Sequence, residues 1–217
     1  MINYWDLYYS NKKTKFKPSN FVKQVIKKKF INKKSVIIEL GCGDGRDTFF
    51  FSRKVKKIYA FDKSIKIINR NKKLQSLKKI KNISFKAGDI KNNKIFDKIK
   101  KKKFSIIYAR FFIHAINEKL ENRLFNKLKL MSPLNCHICL EFRTTKDKLM
   151  KKGKKISKYE RITDHYRRFI NINDFIKKIK KYNFEIIEIK QGINFSKFGS
   201  DNPHICRLIL KMHEKKN

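Results

Sequence analysis

The stretch Ile38-Glu39-Leu40-Gly41-Cys42-Gly43-Asp44-Gly45 decides the fold of this 217-residue chain. It ends an apolar run that begins at Val36, and a helical pattern follows it over residues 47–53. A short apolar run bounded by turn residues predicts a strand buried in a parallel sheet. Glycines in the turn tolerate positive φ and let backbone N–H groups approach a ligand closely. The stretch therefore predicts a strand, a ligand-binding turn and a helix in succession.

Strands and helices alternate along the rest of the chain. Apolar patterning predicts strands at 57–61, 83–87, 104–109, 137–142, 184–190 and 204–212, and helices at 64–79, 118–131 and 173–181. Such alternation indicates an α/β protein with a mostly parallel sheet and helices on both faces. The last two strands have no helix between them, so one of them should be antiparallel. The length fits a single domain over residues 1–217.

Three acidic residues mark the ends of three successive predicted strands. Asp62 follows Glu39 by roughly 20 residues, the position from which a carboxylate accepts hydrogen bonds from ribose hydroxyls. Asp89 closes the third strand and can accept a hydrogen bond from an adenine amino group. Since the carboxyl ends of parallel strands meet at one edge of a sheet, all three should face the same crevice.

The motif and these carboxylates resemble the class I S-adenosylmethionine-dependent methyltransferases, whose first motif reads apolar-acidic-apolar-Gly-x-Gly-x-Gly. The resemblance runs over residues 35–212 and implies a Rossmann-like, seven-stranded sheet with an antiparallel last strand and S-adenosylmethionine as cofactor. A dinucleotide dehydrogenase would prefer GxGxxG, whereas Arg46 occupies the sixth position here. The predicted cofactor-binding residues are Trp5, Tyr9, Glu39, Gly41, Cys42, Gly43, Arg46, Asp62, Lys63, Asp89 and Ile90.

The amino-terminal segment, residues 1–34, is aromatic and then amphipathic. Trp5 and Tyr9 belong to an aromatic cluster, and Pro18-Ser19 is a helix-start signal. The cluster resembles the aromatic cover that related enzymes fold over the methionyl end of the cofactor. Simple packing of these rings is the alternative.

The acceptor pocket is predicted from the segment that follows the fourth strand, because in the class I fold that end lies beside the transferable methyl group. Arg110 and His114 lie there. The Asp/Asn-Pro-Pro-aromatic motif of DNA amino-methyltransferases and the Pro-Cys motif of cytosine-C5 enzymes are both absent from the segment. Base methylation of those two kinds is therefore disfavoured.

Residues 144–170 form an insertion that is predicted to be a substrate lid. It carries the pair Arg167-Arg168, and arginine suits bidentate capture of phosphate or carboxylate. The predicted catalytic residues are His114, His165 and Arg110, with the histidines as candidate bases. The predicted substrate-binding residues are Arg110, His114, Arg143, His165, Tyr166, Arg167 and Arg168.

A looser resemblance concerns the same residues. Tyr108-Ala-Arg-Phe, Glu141-Phe-Arg143 and His165-Tyr-Arg-Arg-Phe169 are similar to a bacterial branch of small-molecule methyltransferases of surface-glycan modification. This implies a small anionic acceptor: a phosphorylated sugar, or a phosphoryl or phosphoramidate group destined for a capsule.

The charge leaves an alternative open. The chain has 57 Lys and Arg against 18 Asp and Glu, a formal net charge of +39, which suits nucleic acid as a partner. An RNA methyltransferase is therefore the first alternative, and a non-catalytic binder of nucleic acid or anionic surfaces is the second. The lysines are dispersed, as an AT-rich genome would also produce, and aromatics are not interleaved with the basic runs, which argues against a specific RNA site.

The remaining features indicate a cytoplasmic protein. The four cysteines do not form a disulfide framework, and no second CxxC or HxxxH completes a metal site around Cys136 and Cys139. The apolar runs fall far short of the ~20 residues of a membrane helix, and the amino terminus does not resemble a secretory signal.

Overall fold

The computed structural model describes residues 4–10, 17–100 and 104–213. Its strands are β1 (Val36–Leu40), β2 (Lys57–Asp62), β3 (Ile83–Ala87), β4 (Ile106–Arg110), β5 (His137–Arg143), β6 (Lys154–Lys155), β7 (Glu160–Ile162), β8 (Tyr166–Arg168), β9 (Phe184–Gly192) and β10 (Ile205–Met212). Its α-helices are α1 (Tyr4–Ser10), α2 (Asn20–Val25), α3 (Arg46–Phe51), α4 (Ile65–Leu77), α5 (Asn93–Lys100), α6 (Glu118–Met131) and α7 (Ile172–Lys180).

Seven of the strands form one sheet in the order β3-β2-β1-β4-β5-β10-β9. β1 pairs in parallel with β2 and β4, and β2 pairs in parallel with β3. β10 is antiparallel to both β5 and β9. The prediction of a mostly parallel Rossmann-like methyltransferase sheet with an antiparallel last strand is therefore confirmed.

The chain divides into two compact units, residues 1–108 and 109–217. In the first unit, β1 is buried over most of its length because its apolar side chains face packed helices on both sides of the sheet. Ser19 begins α2 by accepting a hydrogen bond from Val22 N at 3.0 Å, as the Pro18-Ser19 signal predicted. Phe21 and Val25 of this helix are fully buried.

The second unit has an aromatic core and capped helices. The ring centroid of Phe175 lies 5.6 Å from that of Phe125 and 5.2 Å from that of Phe142. Asn117 caps α6 through Leu120 N, and Asn171 caps α7 through Asn173 N. The caps explain why both helices begin within one residue of their predicted starts.

Two local predictions from the sequence were incomplete. The polar stretch 144–168 contains a short 3-10 helix, Lys148–Lys151, and a separate three-stranded sheet of β6, β7 and β8. Strands of two or three residues are too short to show a period of two. Helix α5 was missed because it is only eight residues long and its three apolar residues are too few to show a helical period. No helix within the described ranges has the length and apolar character needed to cross a membrane.

Candidate functional site

The glycine turn after β1 has backbone angles that residues other than glycine adopt only with strain. Gly41, Gly43 and Gly45 have φ of 72°, 50° and 74°. A Cβ added to Gly43 would collide with Tyr9 Oη, so the turn needs glycine there both for its φ and for space. Gly41 N donates to the carbonyl of Phe61 at 2.8 Å, which fixes the turn against the end of β2.

Asp62 lies at the end of β2 with both carboxylate oxygens aligned by backbone donors. Gly43 N donates to its Oδ2 and Ser64 N donates to its Oδ1, each at 2.9 Å. Because each carboxylate oxygen has two acceptor positions, both can still accept from a ligand. Burial raises the pKa of Asp62, whereas these backbone N–H groups act to lower it.

Negative charge is concentrated beneath the turn, although the chain as a whole is strongly basic. Glu39 is buried and accepts from Thr48 Oγ1 at 2.6 Å. Its pKa is raised well above its usual range by burial and then by the neighbouring carboxylates of Asp47, Asp44 and Asp62, despite the Thr48 bond. The carboxylates of Asp47, Asp44 and Asp62 therefore produce a negative potential at Glu39.

Two of these carboxylates are held by further bonds within the first unit. Asp47 accepts from Ser19 Oγ and from Tyr108 Oη, each at 2.7 Å. Asp44 accepts from Arg46 Nε at 3.0 Å and from its Nη2 at 2.8 Å. Arg46, which was predicted to bind the cofactor, thus forms a bidentate ion pair with Asp44 within the turn.

Helix α1 lies over the turn and against α4. The rings of Trp5 and Tyr9 are stacked, with centroids 6.1 Å apart. Arg70 Nη1 donates to the Tyr9 carbonyl at 3.1 Å, and Ser64 Oγ donates to Asp6. Burial, followed by Asp62 and Asp44, raises the pKa of Tyr9 well above its usual range, so its phenol is a neutral donor.

The remaining predicted cofactor residues differ in exposure. Asp89 is exposed, and its Oδ1 accepts from Lys91 N at 2.9 Å. Ile90 is buried beside it, whereas Lys63 is exposed. Cys42 is buried, and burial raises the pKa of its thiol well above the usual range, so it is a neutral, apolar wall of the turn.

In the second unit, Glu141 is a fully buried carboxylate between two arginines. Arg110 Nε donates to its Oε1 at 2.8 Å and Arg207 Nε donates to its Oε2 at 2.7 Å. Ser196 Oγ donates to Oε1 at 2.8 Å. Glu141 and Arg207 were not among the residues predicted from the sequence to form a site.

The segment between β4 and α6 combines backbone strain with a buried histidine. Phe111 has φ of 52°, a conformation that costs a bulky residue energy and recurs at functional sites. His114 is buried, and its Nδ1 has no hydrogen-bond partner among the residues that the structure describes. Burial, followed by Arg143, Arg167, His165 and Arg168, lowers its pKa well below the usual range, so the imidazole is neutral.

The other predicted substrate arginines are paired with carboxylates. Arg143 Nη1 donates to Asp147 Oδ2 at 2.9 Å, and its Nη2 donates to Asp201. Arg168 donates to the fully buried Glu121 and, through Nε, to the Ile116 carbonyl at 3.2 Å. These bonds give both guanidinium groups a role in joining elements of the second unit.

The insertion residues form one small cluster. Arg167 donates to Asp164 and Thr163. His165 Nδ1 lies 3.0 Å from Asp164 Oδ2, and burial followed by Arg167 lowers the pKa of His165 to about 4. Tyr166 donates to Glu160, and burial raises its pKa. β8 contacts the short 3-10 helix Ile113–Ala115, which places the insertion next to His114.

The described residues contain no group of three or more His, Cys, Asp or Glu side chains that could hold a metal ion. The four cysteines are free and buried. The histidines, by contrast, all lie in the second unit, residues 109–217.

Comparison with known proteins defines the class to which this architecture belongs. The sequence model of the family described as "Methyltransferase domain" matches residues 31–189, most of the chain. The protein belongs to this methyltransferase family, and S-adenosylmethionine is its methyl donor. The residues fit that donor, because the glycine turn offers an aligned carboxylate at Asp62 and a negative field around Glu39.

Solved structures share the fold at low sequence identity. A methyltransferase from Anabaena variabilis has a TM-score of 0.73 and 18% identity, covering 98% of this chain and 96% of that one. A Clostridium acetobutylicum methyltransferase has a TM-score of 0.68, 14% identity and coverages of 97% and 96%. One from Methanosarcina mazei has a TM-score of 0.70, 10% identity and coverages of 86% and 96%. No curated protein matches the sequence.

Proposed function

We propose that this methyltransferase modifies a small anionic acceptor, most simply a phosphate-bearing one, which the second unit binds around Arg110 and His114. The observation that carries the proposal is the sharing of Glu141 between two arginines. Arg110 and Arg207 both donate to the one buried carboxylate of Glu141, which brings two guanidinium groups to the same place in the second unit.

Arg110 is the more accessible member of this group. Its side chain is 21% exposed, compared with 9% for Arg207. Its Nε is bound to Glu141, which orients the guanidinium plane, and the guanidinium carbon lies 4.6 Å from the centroid of the Phe111 ring. An oriented guanidinium can hold a phosphate or carboxylate by charge-assisted hydrogen bonds, and orientation lowers the entropy lost on binding.

We propose that His114 contacts the acceptor hydroxyl. A neutral imidazole has one nitrogen with a free lone pair, and this one is kept neutral by burial and by the nearby arginines. Its lone pair can accept a hydrogen bond from an acceptor hydroxyl and orient that oxygen toward the methyl carbon, whereas the lowered pKa disfavours full transfer of the proton to the ring. If the acceptor oxygen is already an ionised phosphate, no base is needed and the residue serves only to position the ligand.

The chemistry requires alignment above all. When bound, S-adenosylmethionine supplies a methyl group that is already activated by the sulfonium, and the C–S bond electrons leave with sulfur. The task left to the protein is to exclude water and to fix the acceptor oxygen in line with that bond. We propose that the insertion 144–170, including His165, Tyr166, Arg167 and Arg168, serves as the acceptor lid, with Arg143 beneath it.

The finer acceptor class rests on the looser resemblance to surface-glycan enzymes, which makes a phosphorylated sugar or a phosphoramidate of a capsule precursor the first to test. Such precursors are made in the cytoplasm, where we expect this enzyme to act. The single-domain organisation of residues 1–217 also remains a prediction.

The decisive experiment is a screen with matched acceptors. Purified enzyme and S-adenosylmethionine are incubated with pairs of sugars that differ only in a phosphate, and S-adenosylhomocysteine release is measured. We expect at least about tenfold higher kcat/KM for the phosphorylated members, the size of one charge-assisted contact. Equal rates within the pairs would contradict the anionic-acceptor proposal, and methylation of added RNA in their place would favour the RNA alternative.

A further inference from the structure

Asn71 joins α4 to the glycine turn at the centre of the first unit. The residue is fully buried, and its Nδ2 donates to the carbonyl of Gly43 at 2.7 Å. On the other side of the same residue, Gly43 N donates to Asp62 Oδ2 at 2.9 Å. Gly43 is therefore held through its carbonyl by a helix and, through its N–H, itself holds the carboxylate predicted to bind the ribose.

Among the described residues, the bond to the Gly43 carbonyl is the one hydrogen bond of the Asn71 amide group. Asn71 Oδ1 has no hydrogen-bond partner within the described part of the chain. Leaving a buried acceptor unpaired costs free energy that an apolar residue of similar size would avoid. The cost is offset by the donor, because the other hydrogen bond to the Gly43 carbonyl among the described residues is a weak one from the Cys42 thiol, at 4.0 Å.

Space around the turn also depends on this side chain. A Cβ added to Gly45 would lie 3.3 Å from Cγ and Nδ2 of Asn71. The amide therefore contacts the turn at two of its glycines, both of which have positive φ. A turn of glycines is inherently flexible, and an external anchor removes that flexibility before the ligand arrives.

We propose that Asn71 is a positioning residue for methyl-donor binding, acting through Gly43 on Asp62. It orders the turn and directs the Gly43 N–H at the carboxylate. Asp62 is then already aligned when the ligand binds, and little conformational entropy is lost at that step. The proposal depends on the glycine turn being the donor site and is independent of the nature of the acceptor.

The variant Asn71→Asp tests this, since it keeps the shape but, when ionised, removes the donor and adds a negative charge beside the glycine turn. The affinity for S-adenosylhomocysteine, measured by calorimetry, reports the site without acceptor or turnover. We expect the dissociation constant to rise at least about tenfold, and KM for the donor to rise while kcat at saturating donor changes less than about threefold.

The matched control is Gln75→Glu, the same amide-to-acid change one turn further along α4. Gln75 Nε2 donates to the carbonyls of Ile80 and Ile83, each at 2.9 Å, and so stabilises the end of the helix away from the turn. Its loss should lower the thermal midpoint and leave the dissociation constant within about twofold. Equal weakening of binding by both variants would mean that Asn71 merely stabilises the helix and would overturn the proposal.

A second variant and a double-mutant cycle complete the test. Asn71→Ser adds no charge and is used if Asn71→Asp does not fold, with the same tenfold expectation. Because Asn71 acts through Asp62, its effect in an Asp62→Asn background should be well below its effect in the wild type. Full additivity, or wild-type affinity in Asn71→Ser, would refute the inference.

Discussion

Gly43 donates its backbone N–H to Asp62 Oδ2 at 2.9 Å. This hydrogen bond joins the glycine turn to the end of the neighbouring strand. The turn sets the direction of the carboxylate, and the carboxylate limits the movement of the turn. A ligand that binds either group consequently contacts both. Substitution of one residue should therefore change how the other binds the ligand.

Replacing Asp62 by Ala should weaken S-adenosylmethionine binding by about 30-fold or more. Loss of two hydrogen bonds to a charged acceptor corresponds to roughly 2–4 kcal/mol. Calorimetry measures the affinity, and Asp97→Ala, an exposed carboxylate on α5, controls for the change in net charge. Unchanged affinity in the Asp62 variant would show that the ribose binds elsewhere.

Gly43→Ala should weaken donor binding at least about tenfold, because it combines a positive φ with displacement of the Tyr9 phenol from the turn. Gly199→Ala is the matched control, since its φ is 57° and a Cβ there would meet nothing within 4 Å. The control should cost about 1–2 kcal/mol of stability from backbone strain alone and leave donor affinity intact. Similar affinities in the two variants would contradict the close approach of Tyr9.

Glu39→Gln should stabilise the ligand-free protein at neutral pH. Burial raises the pKa of Glu39 in the folded state, so the folded protein favours the protonated form. The contribution of Glu39 to the free energy of unfolding is therefore fully present below its usual pKa near 4.5 and declines as pH rises above it. The glutamine keeps an acceptor for Thr48 without the charge. The thermal midpoint should rise by about 2–4 °C, the shift per kcal/mol for a chain of this size, and the gain should vanish at acid pH. A lower midpoint at pH 7 would refute this account.

Local sequence patterns predicted the helices and strands well. They did not predict contacts between residues that lie far apart in the sequence. The helix Glu118–Met131 was predicted with its observed bounds because Asn117 caps it and its apolar residues recur at helical spacing. The bond between Glu141 and Arg207 joins residues 66 positions apart, and no periodicity encodes such a pairing. Asn71 was missed for the same reason: within a lysine-rich helix its polarity looks like that of an exposed residue.

RNA should bind weakly and without sequence preference. The lysines are dispersed, so binding would come from phosphate neutralisation and counterion release alone. The affinity for tRNA, measured by fluorescence anisotropy, should collapse between about 50 and 200 mM salt. Methyl incorporation at defined RNA positions at physiological salt would favour the RNA alternative.

Arg168→Met should mainly destabilise the protein. It leaves Glu121 buried, although Lys178 Nζ remains 2.8 Å from Glu121 Oε1 and limits the cost. Removing one partner of a buried ion pair costs about 3–5 kcal/mol. Because Lys178 remains, urea unfolding should show a decrease in the free energy of unfolding of about 3 kcal/mol or less. A stable variant with kcat/KM reduced 10²-fold would instead support a direct acceptor contact.

Arg110→Met should leave donor affinity nearly unchanged and reduce kcat/KM for a phosphorylated acceptor by about 10², the size of losing a charge-assisted contact. The methionine keeps the apolar stem over Phe111, and Arg207 remains to neutralise Glu141, so the buried carboxylate is not left unpaired. Arg53→Met is the control, because Arg53 is an exposed residue of the first unit and its replacement removes the same charge, so kcat/KM should change less than about threefold. Calorimetry with S-adenosylhomocysteine separates donor binding from the acceptor step. If both variants react alike, or if Arg110→Met loses as much activity with the unphosphorylated sugar of a pair, Arg110 does not recognise the acceptor's charge.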